Sequence, residues 1–209
     1  MINRKIFEKL IKLLRSINPK VPLPEGFDEF LFLRMRGVTM DHKRETFLEH
    51  EGDKPGNAYY VVSGLVLVYG YVDGIPFTES IYRENTIVAL REFMEHDDAT
   101  HTVVATKGTL VVRISAEAMD EIYRAWPPME AFAMLTAMKY LEMKKDRRNS
   151  LLALLEEERV LEFYTAFAGL LPPKKSAIKD EDIASYLAMK LKKLRDVRYK
   201  LKTGGLLQY

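Results

Sequence analysis

Apolar residues recur at helical spacing near both ends of this chain and at strand-like spacing between them. Two helical stripes occupy residues 1–35, one through Ile6, Leu10 and Leu14 and one through Phe27 and Leu31, and residues 21–26 (VPLPEG) separate them. A helical period of about 3.6 returns from Ala116 onwards. The pattern predicts helices flanking a β-rich middle, which is an α+β chain.

The β-rich middle alternates short runs of β-forming residues with turn signals. Asp73-Gly74, between two such runs, is a strong hairpin signal. Evenly spaced short strands of this kind indicate a small barrel or jelly roll. The predicted strands are residues 38–42, 45–49, 59–62, 65–72, 77–82, 102–105 and 109–114.

Three helices are predicted after the strands, at residues 116–126, 129–147 and 151–171. The second is apolar on more than one face, with Phe132, Leu135, Met138 and Leu141 among its apolar positions. It is too apolar for a helix with one solvated face. A dimer interface through these four residues is therefore favoured over a purely internal core helix.

Two short helices at about 181–188 and 190–202 follow, and a tight turn separates them. Their apolar positions suit two helices that cross at a large angle and share one small core, with Ala184 where they approach closely. Those positions are Ile183, Leu187, Met189, Leu194, Val197 and Leu201. The second helix carries seven Lys or Arg residues against one acid, Asp196. A cationic helix on a compact helical pair suits reading of a DNA major groove.

Charge is distributed unevenly along the 209 residues. The net charge is +2, but residues 174–202 hold ten Lys or Arg and four Asp or Glu, so the rest of the chain is slightly acidic. Such a basic segment is typical of a nucleic-acid partner, and a solvated basic helix is the alternative.

Composition excludes several classes of protein. The absence of cysteine excludes disulfides, thiolate iron–sulfur clusters and cysteine–zinc sites. No apolar run approaches the length of a membrane span, and the amphipathic N-terminus lacks the features of a secretory signal, so a helix packed on the body and a cytoplasmic location are expected. No P-loop, nucleophile elbow, metal-ligand motif or dinucleotide fingerprint is present, so an enzyme is not predicted.

The order of roll, long helix and helix–turn–helix is similar to that of the Crp/Fnr superfamily of transcription regulators. The run EGDKPGNAYYVVSGLV at residues 51–66 resembles the family's turn–strand–turn, with Gly52 and Gly64 at the tight turns. Residues 182–187, followed by Leu194, Val197 and Leu201, resemble its helix–turn–helix. The resemblance implies a sensor roll at 1–126, a dimerisation helix and hinge at 127–148, and a DNA-binding domain at 149–209. It implies a homodimer that binds double-stranded DNA.

The archetype of that family binds cyclic AMP through a Gly-Glu pair and an Arg-Ser pair. The corresponding places here hold Val88-Ala89 and Ala99-Thr100, so the ribose-binding acid and the phosphate-binding arginine are both alanine. A phosphate in a partly buried roll needs a countercharge. The resemblance therefore predicts a roll that does not bind cyclic AMP, and no cofactor. The positions that meet adenine in the archetype fall near Lys144-Lys145.

An effector other than cyclic AMP stays open. Arg91 and His101 could hold an anionic effector, and the alternative is that Arg91-Glu92 and residues 95–98 form a solvated loop. His42, His50, His96 and His101 do not fall in metal-ligand spacing on one helix, so metal or haem sensing is not predicted. The corresponding effector pocket comprises Val88, Ala89, Leu90, Arg91, Ala99, Thr100 and His101.

The resemblance assigns base reading to the start of the last helix. Leu191 and Asp196 depart from the archetype's reading residues, and Lys174 and Lys175 could add backbone contacts. The candidates for DNA contact are Ser185, Lys190, Leu191, Lys192, Lys193, Arg195, Asp196 and Arg198.

Two features qualify the resemblance. Ala188 stands in the turn where the family usually has glycine, which favours a turn that is tightened in some other way. The seven residues after 202 leave room for a vestigial hairpin at most, as in the subgroup with a reduced wing. These departures keep a second hypothesis open, a dimeric effector- or protein-interaction module with a degenerate helix–turn–helix.

Overall fold

The structure, a computed structural model, describes residues 2–39, 41 and 43–209 and divides into two compact units. The first unit contains the chain up to Leu67 together with Ile81–Glu142. The second unit contains Val68–Ser80 and Met143–Tyr209. In the part of the chain that is described, no helix has the length and apolar character needed to cross a membrane.

Helices flank a β-rich middle as the sequence pattern predicts, and the α+β class is confirmed. The strands are β1 Arg36–Thr39, β2 Thr46–Glu49, β3 Asn57–Ser63, β4 Leu65–Val72, β5 Ile75–Arg83, β6 Thr86–Val88, β7 Thr102–Ala105 and β8 Leu110–Ser115. The helices are α1 Arg4–Ile17, α2 Phe27–Arg34, α3 Arg91–Glu95, α4 Ala116–Ala125, α5 Pro128–Leu152, α6 Glu156–Ala166, α7 Asp180–Tyr186 and α8 Leu191–Thr203. Short 3-10 turns at Ala168–Leu170 and Pro173–Lys175 connect α6 to α7.

Element boundaries differ from the predicted ones in a few places. Strand β6 and helix α3 were not predicted, since three and five residues are too few for a periodic pattern. Helix α6 ends at Ala166, five residues before its predicted end. Met40 and His42, at the end of the first predicted strand, lie outside the described residues.

Two four-stranded sheets form the roll. Their strand orders are β1-β8-β3-β6 and β2-β7-β4-β5. Strand β8 pairs antiparallel with β1 and with β3, and β3 pairs antiparallel with β6. Asp73 and Gly74 join β4 to β5 with φ angles of 52° and 74°, as a two-residue hairpin turn requires.

Gly64 makes the turn between β3 and β4 possible. Its φ is 84°, and a Cβ atom there would lie 2.8 Å from the Cα atom of Thr109. The Thr109 hydroxyl in turn donates to the carbonyl of Leu65 at 3.1 Å. Glycine is therefore needed for both conformation and space, as the sequence predicts.

Helices cover one face of the first sheet and form the core of the first unit. Tyr60, Val112 and Ile114 point from β3 and β8 into a buried cluster with residues of α1, α2, α4 and α5. The only tryptophan, Trp126, packs edge-on against Phe27 and Phe30, with ring centroids 5.9 and 5.1 Å apart.

Helix α5 uses two different faces. Phe132, which was assigned to the dimer interface, is instead 4% exposed and belongs to the core of the first unit. Leu135 and Met138 are 53% and 56% exposed. Leu141 is half-buried. The corrected apolar surface of α5 is therefore centred on Leu135 and Met138.

Candidate DNA-binding and effector sites

The two-helix element in the second unit is built as the apolar pattern predicts. Ile183, Leu187 and Leu194 are almost fully buried, and so are Ala184, Val197 and Leu201. Helix α8 contacts both α7 and α6, and the α6 residues Val160, Phe163 and Tyr164 are also buried. The core thus fixes α8 relative to α7, which a recognition helix requires.

The turn between α7 and α8 is left-handed. Ala188 has a φ of 49°, so the expectation of a differently tightened turn is wrong. This left-handed conformation is about 1 kcal/mol less favourable for alanine than for glycine. The Arg159 guanidinium supports the turn, because its Nη1 donates to the carbonyl of Leu187 at 2.9 Å.

The start of α8 presents cations to solvent. Lys190 and Lys192 are exposed, and neither pairs with an acid among the residues the structure describes. Lys193 pairs with Glu156 at 2.7 Å, and Arg195 pairs with Asp180 at 3.0 Å. The Lys193 and Arg195 side chains are 48% and 55% exposed, so a phosphate can compete for these cations.

Two further candidates share this end of α8. Leu191 is half-buried, and Asp196 is exposed one turn beyond Lys192. No strand follows α8 in the described chain, and the polypeptide turns at Gly204-Gly205 to bury Leu207.

Arg198 has a different role from the one that was assigned to it. Its side chain is 8% exposed, and its guanidinium binds both carboxylate oxygens of Asp180 at 2.6 and 2.7 Å and the Tyr164 hydroxyl at 2.8 Å. Burial alone would lower the pKa of Arg198, but these bonds to Asp180 and Tyr164 raise it above its ordinary value. A guanidinium so occupied cannot reach a phosphate, and we remove Arg198 from the DNA-contacting set.

Residues of β4 and β5 lie against α7 within the second unit. The Tyr69 hydroxyl donates to Oδ1 of Asp182 at 3.1 Å, and the Thr78 backbone N–H donates to the Ser185 hydroxyl at 2.9 Å. Arg148 lies 5.6 Å from the ring of Phe77. Ser185, one of the candidates for DNA contact, therefore also anchors this hairpin.

The cassette that corresponds to the cyclic nucleotide site is formed by the end of β6, α3 and residues 99–101. Within it, Glu92 of α3 accepts hydrogen bonds from both the hydroxyl and the backbone N–H of Thr100. Burial by itself would raise the pKa of Glu92, but the bonds from Thr100 hold it below its ordinary value. The Glu92 carboxylate thus occupies the hydroxyl and the backbone N–H of Thr100, which an anionic ligand would need as donors.

The remaining pocket candidates are held by local contacts. Arg91 turns toward Glu95, with Nε 2.8 Å from its carboxylate, and His101 contacts the Thr100 hydroxyl at 2.8 Å. The backbone of Ala99 is fixed by bonds with Gly52 and Asp53 at 2.8 and 2.9 Å. The structure therefore brings Thr100 and His101 together around Glu92 and directs Arg91 away from them.

No group of three or more His, Asp or Glu side chains that could hold a metal ion occurs among the described residues. His50 stacks on Phe47 at 4.9 Å, and His96 ends α3 with Nε2 3.8 Å from Asp120. His42 is outside the described residues.

Sequence reasoning missed a buried carboxylate at the start of the roll. Glu49 accepts from the backbone N–H groups of Gly56 and Asn57 at 3.0 and 3.1 Å, and from the Tyr59 hydroxyl at 2.6 Å. Burial is the largest cause that raises the pKa of Tyr59, and the hydrogen bond to Glu49 is the second. Glu49 thus fixes the loop of the EGDKPGN motif. Glu49 lies two residues before the motif at residues 51–66. The motif therefore did not indicate that Glu49 holds the loop.

The described chain thus combines a roll of two four-stranded sheets, a long helix α5 and the two-helix element of α7 and α8. Residues 40–125 match the family of the cyclic nucleotide-binding domain. The chain has the fold of Crp/Fnr regulators, which confirms the predicted resemblance.

Three solved structures illustrate this likeness. One is a transcriptional regulator of the Crp/Fnr family from Eubacterium rectale, with a TM-score of 0.68 and 17% identity, covering 90% of this chain and 87% of that one. FixK2 from Bradyrhizobium japonicum has a TM-score of 0.67 and 17% identity, over 84% and 88% of the two chains. CLP from Xanthomonas campestris, a c-di-GMP-responsive global regulator, has a TM-score of 0.61 and 18% identity, over 87% and 93%. None of the three is described as an enzyme, and a search of curated proteins gives no match.

Proposed function

We propose that this protein is a homodimeric DNA-binding transcription regulator that acts in the cytoplasm and whose roll does not bind cyclic AMP. The observation that carries the proposal is the start of α8, where Lys190, Lys192 and Lys193 are exposed on a helix that a buried frame holds in place. Lysines placed in this way neutralise DNA phosphates, and Leu191 can contact a thymine methyl group.

Binding to double-stranded DNA tests this proposal directly. Fluorescence anisotropy with duplex genomic fragments at low salt is expected to show binding at micromolar protein or below, with an affinity that falls steeply as salt rises. The exposed acid Asp196 favours the second hypothesis, a dimeric module that does not bind DNA. A stable dimer without duplex binding at micromolar concentration would favour that hypothesis and reject the first.

Dimerisation is proposed through the exposed side of α5. Two large apolar side chains, Leu135 and Met138, lie one turn apart there and are more than half exposed. Leu135→Glu combined with Met138→Glu is expected to weaken the dimer at least about tenfold, because burial of two carboxylates at an apolar interface is unfavourable. Sedimentation equilibrium measures the change.

The control for that substitution is Leu33→Glu, since Leu33 of α2 is 58% exposed and lies on another helix. Its dimer affinity is expected to equal that of the unsubstituted protein. Equal dissociation constants for Leu135→Glu/Met138→Glu and the unsubstituted protein would remove this face of α5 from the proposal.

Cyclic AMP is not expected to bind. Ala89 and Ala99 supply no charge, and Glu92 holds the donors of Thr100. A phosphate would have to displace this carboxylate and would meet its negative charge. Isothermal titration calorimetry with cyclic AMP or cyclic GMP is expected to show no binding at micromolar concentration. Micromolar binding of either nucleotide would contradict the assignment of the roll.

A further inference from the structure

An apolar cavity of about 100 Å³ lies in the first unit. It is lined by residues of α1, α2, α4 and α5, together with α3 and the face of the sheet that carries Ala58 and Tyr60. Phe27, Phe93 and Ile122 on its wall are each buried. The walls of the cavity are therefore formed by side chains of the core.

The polar atoms near this cavity already have partners. The Tyr60 hydroxyl donates to Asn85 at 2.9 Å, and the Thr136 hydroxyl donates to the carbonyl of Phe132 at 2.8 Å. None of the described residues that line the cavity carries a charge. A water molecule needs two to four polar partners, so the apolar lining favours apolar molecules over ordered water.

We propose that this cavity is a binding site for a small uncharged apolar molecule about the size of one aromatic ring. An apolar cavity of roughly 150 Å³ is enough to bind benzene in other proteins. Four methionines, Met35, Met94, Met119 and Met129, line the cavity here. Their flexible, polarisable side chains let such a cavity adjust to a ligand of that size. The lack of a cationic wall residue excludes ligands with a carboxylate or phosphate group.

The cavity differs in position from the nucleotide site that the family resemblance implies. Its wall on α5 extends from Met129 to Ala137, whereas the resemblance places the adenine contacts near Lys144-Lys145. Ala89 of the cassette borders both sites.

The same turns of α5 connect the cavity to the proposed dimer face. Phe132 and Ala133 line the cavity, while Leu135 and Met138 are exposed on the helix surface. A ligand that shifts α5 therefore also shifts the residues that we assign to the dimer. This regulatory consequence depends on the proposed function, whereas the binding site itself does not.

Methionine methyl resonances of the intact 209-residue chain provide the test, with toluene as the probe. The ¹³C-methyl signals of Met94, Met119 and Met129 are expected to shift saturably, with a Kd on the order of 0.1–1 mM. Met189, in the turn between α7 and α8, does not line the cavity and serves as an internal control whose signal stays in place. No saturable shift, or an equal shift of the Met189 signal, would overturn the proposal.

Two variants with opposite effects on the cavity complete the experiment. Ala137→Leu places three extra carbon atoms in the cavity and is expected to weaken toluene binding about tenfold. Ala131→Leu is its matched control, because Ala131 lies on the same helix but is exposed, and its affinity should not change. Met119→Ala enlarges the cavity, so it is expected to bind naphthalene at least about fivefold more tightly than the unsubstituted protein does.

Unchanged affinities in both cavity variants would place toluene elsewhere and reject the site. If Ala137→Leu does not fold, the gain in naphthalene binding by Met119→Ala still decides the question. The measurements contain no DNA, so their failure leaves the DNA-binding proposal standing, and a failure of DNA binding leaves the cavity site standing.

Discussion

Replacing Asp180 with alanine is expected to destabilise the second unit by about 3–5 kcal/mol, because Arg198 would remain buried without its countercharge. Both carboxylate oxygens of Asp180 accept from this guanidinium, at 2.6 and 2.7 Å. The pair joins the first turn of α7 to the middle of α8. Its loss therefore weakens the contact that fixes the recognition helix on its support.

Urea denaturation followed by circular dichroism measures this loss, and hydrogen exchange of the α8 amides locates it. Trp126 lies in the first unit, so the transition seen by its fluorescence is expected to stay where it is. Arg195→Ala is the matched control. Its 55% exposed side chain binds the same Asp180, and its removal is expected to cost less than about 1 kcal/mol. Equal losses from Asp180→Ala and Arg195→Ala would contradict the structural role of Arg198.

The same pair predicts a pH dependence with a definite sign. Hydrogen bonding from Arg198 is the largest cause that lowers the pKa of Asp180 below its ordinary value of 3.8. The stability that Asp180 contributes is therefore complete above about pH 4, and it is lost as the pH falls through the lowered pKa. The stability difference between the unsubstituted protein and Asp180→Asn is expected to shrink in that acidic range.

Replacing Lys192 and Lys193 together with alanine is expected to weaken duplex DNA binding about 30-fold, at roughly 1 kcal/mol for each lost cation. Both side chains are exposed in the first turn of α8. The slope of log affinity against log salt should become shallower by about two, since each phosphate contact contributes close to one. Anisotropy titrations at several salt concentrations measure both quantities.

Lys200→Ala is the matched control for that double substitution. Lys200 carries the same charge on the same helix but lies in its last turn, where it contacts Glu157 at 2.5 Å. Its affinity for DNA and its salt slope are expected to stay close to those of the unsubstituted protein. If Lys200→Ala weakened binding as much as Lys192→Ala/Lys193→Ala, α8 would attract DNA through its overall positive charge. The start of α8 would then make no specific contacts with DNA. No effect from the double substitution would remove both lysines from the proposed interface.

Periodicity could predict the frame of the helix–turn–helix but not the role of every residue on it. Ile183, Leu187 and Leu194 were identified because apolar residues at helical spacing must share a buried face. Arg198 was wrongly assigned to the DNA-contacting set, because its charge was taken as a sign of exposure. Its position held the correct signal, since residue 198 lies four after Leu194 and three before Leu201, on the buried side of α8.

The two faces of α5 could not be separated for a different reason. Apolar residues surround this helix, so its sequence does not distinguish Phe132, which packs internally, from Leu135, which is exposed. The association of Tyr69 with Asp182 was also beyond prediction, because it joins polar side chains more than a hundred residues apart. The cassette around Glu92 depends on contacts across a loop, which no short-range pattern encodes.

The composition of the second unit limits how this chain can be dissected. The polypeptide crosses between the two units three times, after residues 67, 80 and 142. A gene fragment that begins at Met143 would produce the helix–turn–helix without the bonds that Tyr69 and Thr78 make to α7. A fragment that ends at Glu142 would keep the strands that make those bonds and lose the helix that receives them. No single cut therefore yields two self-contained pieces, and genetic separation of sensing from DNA binding has to rely on substitutions within the intact chain.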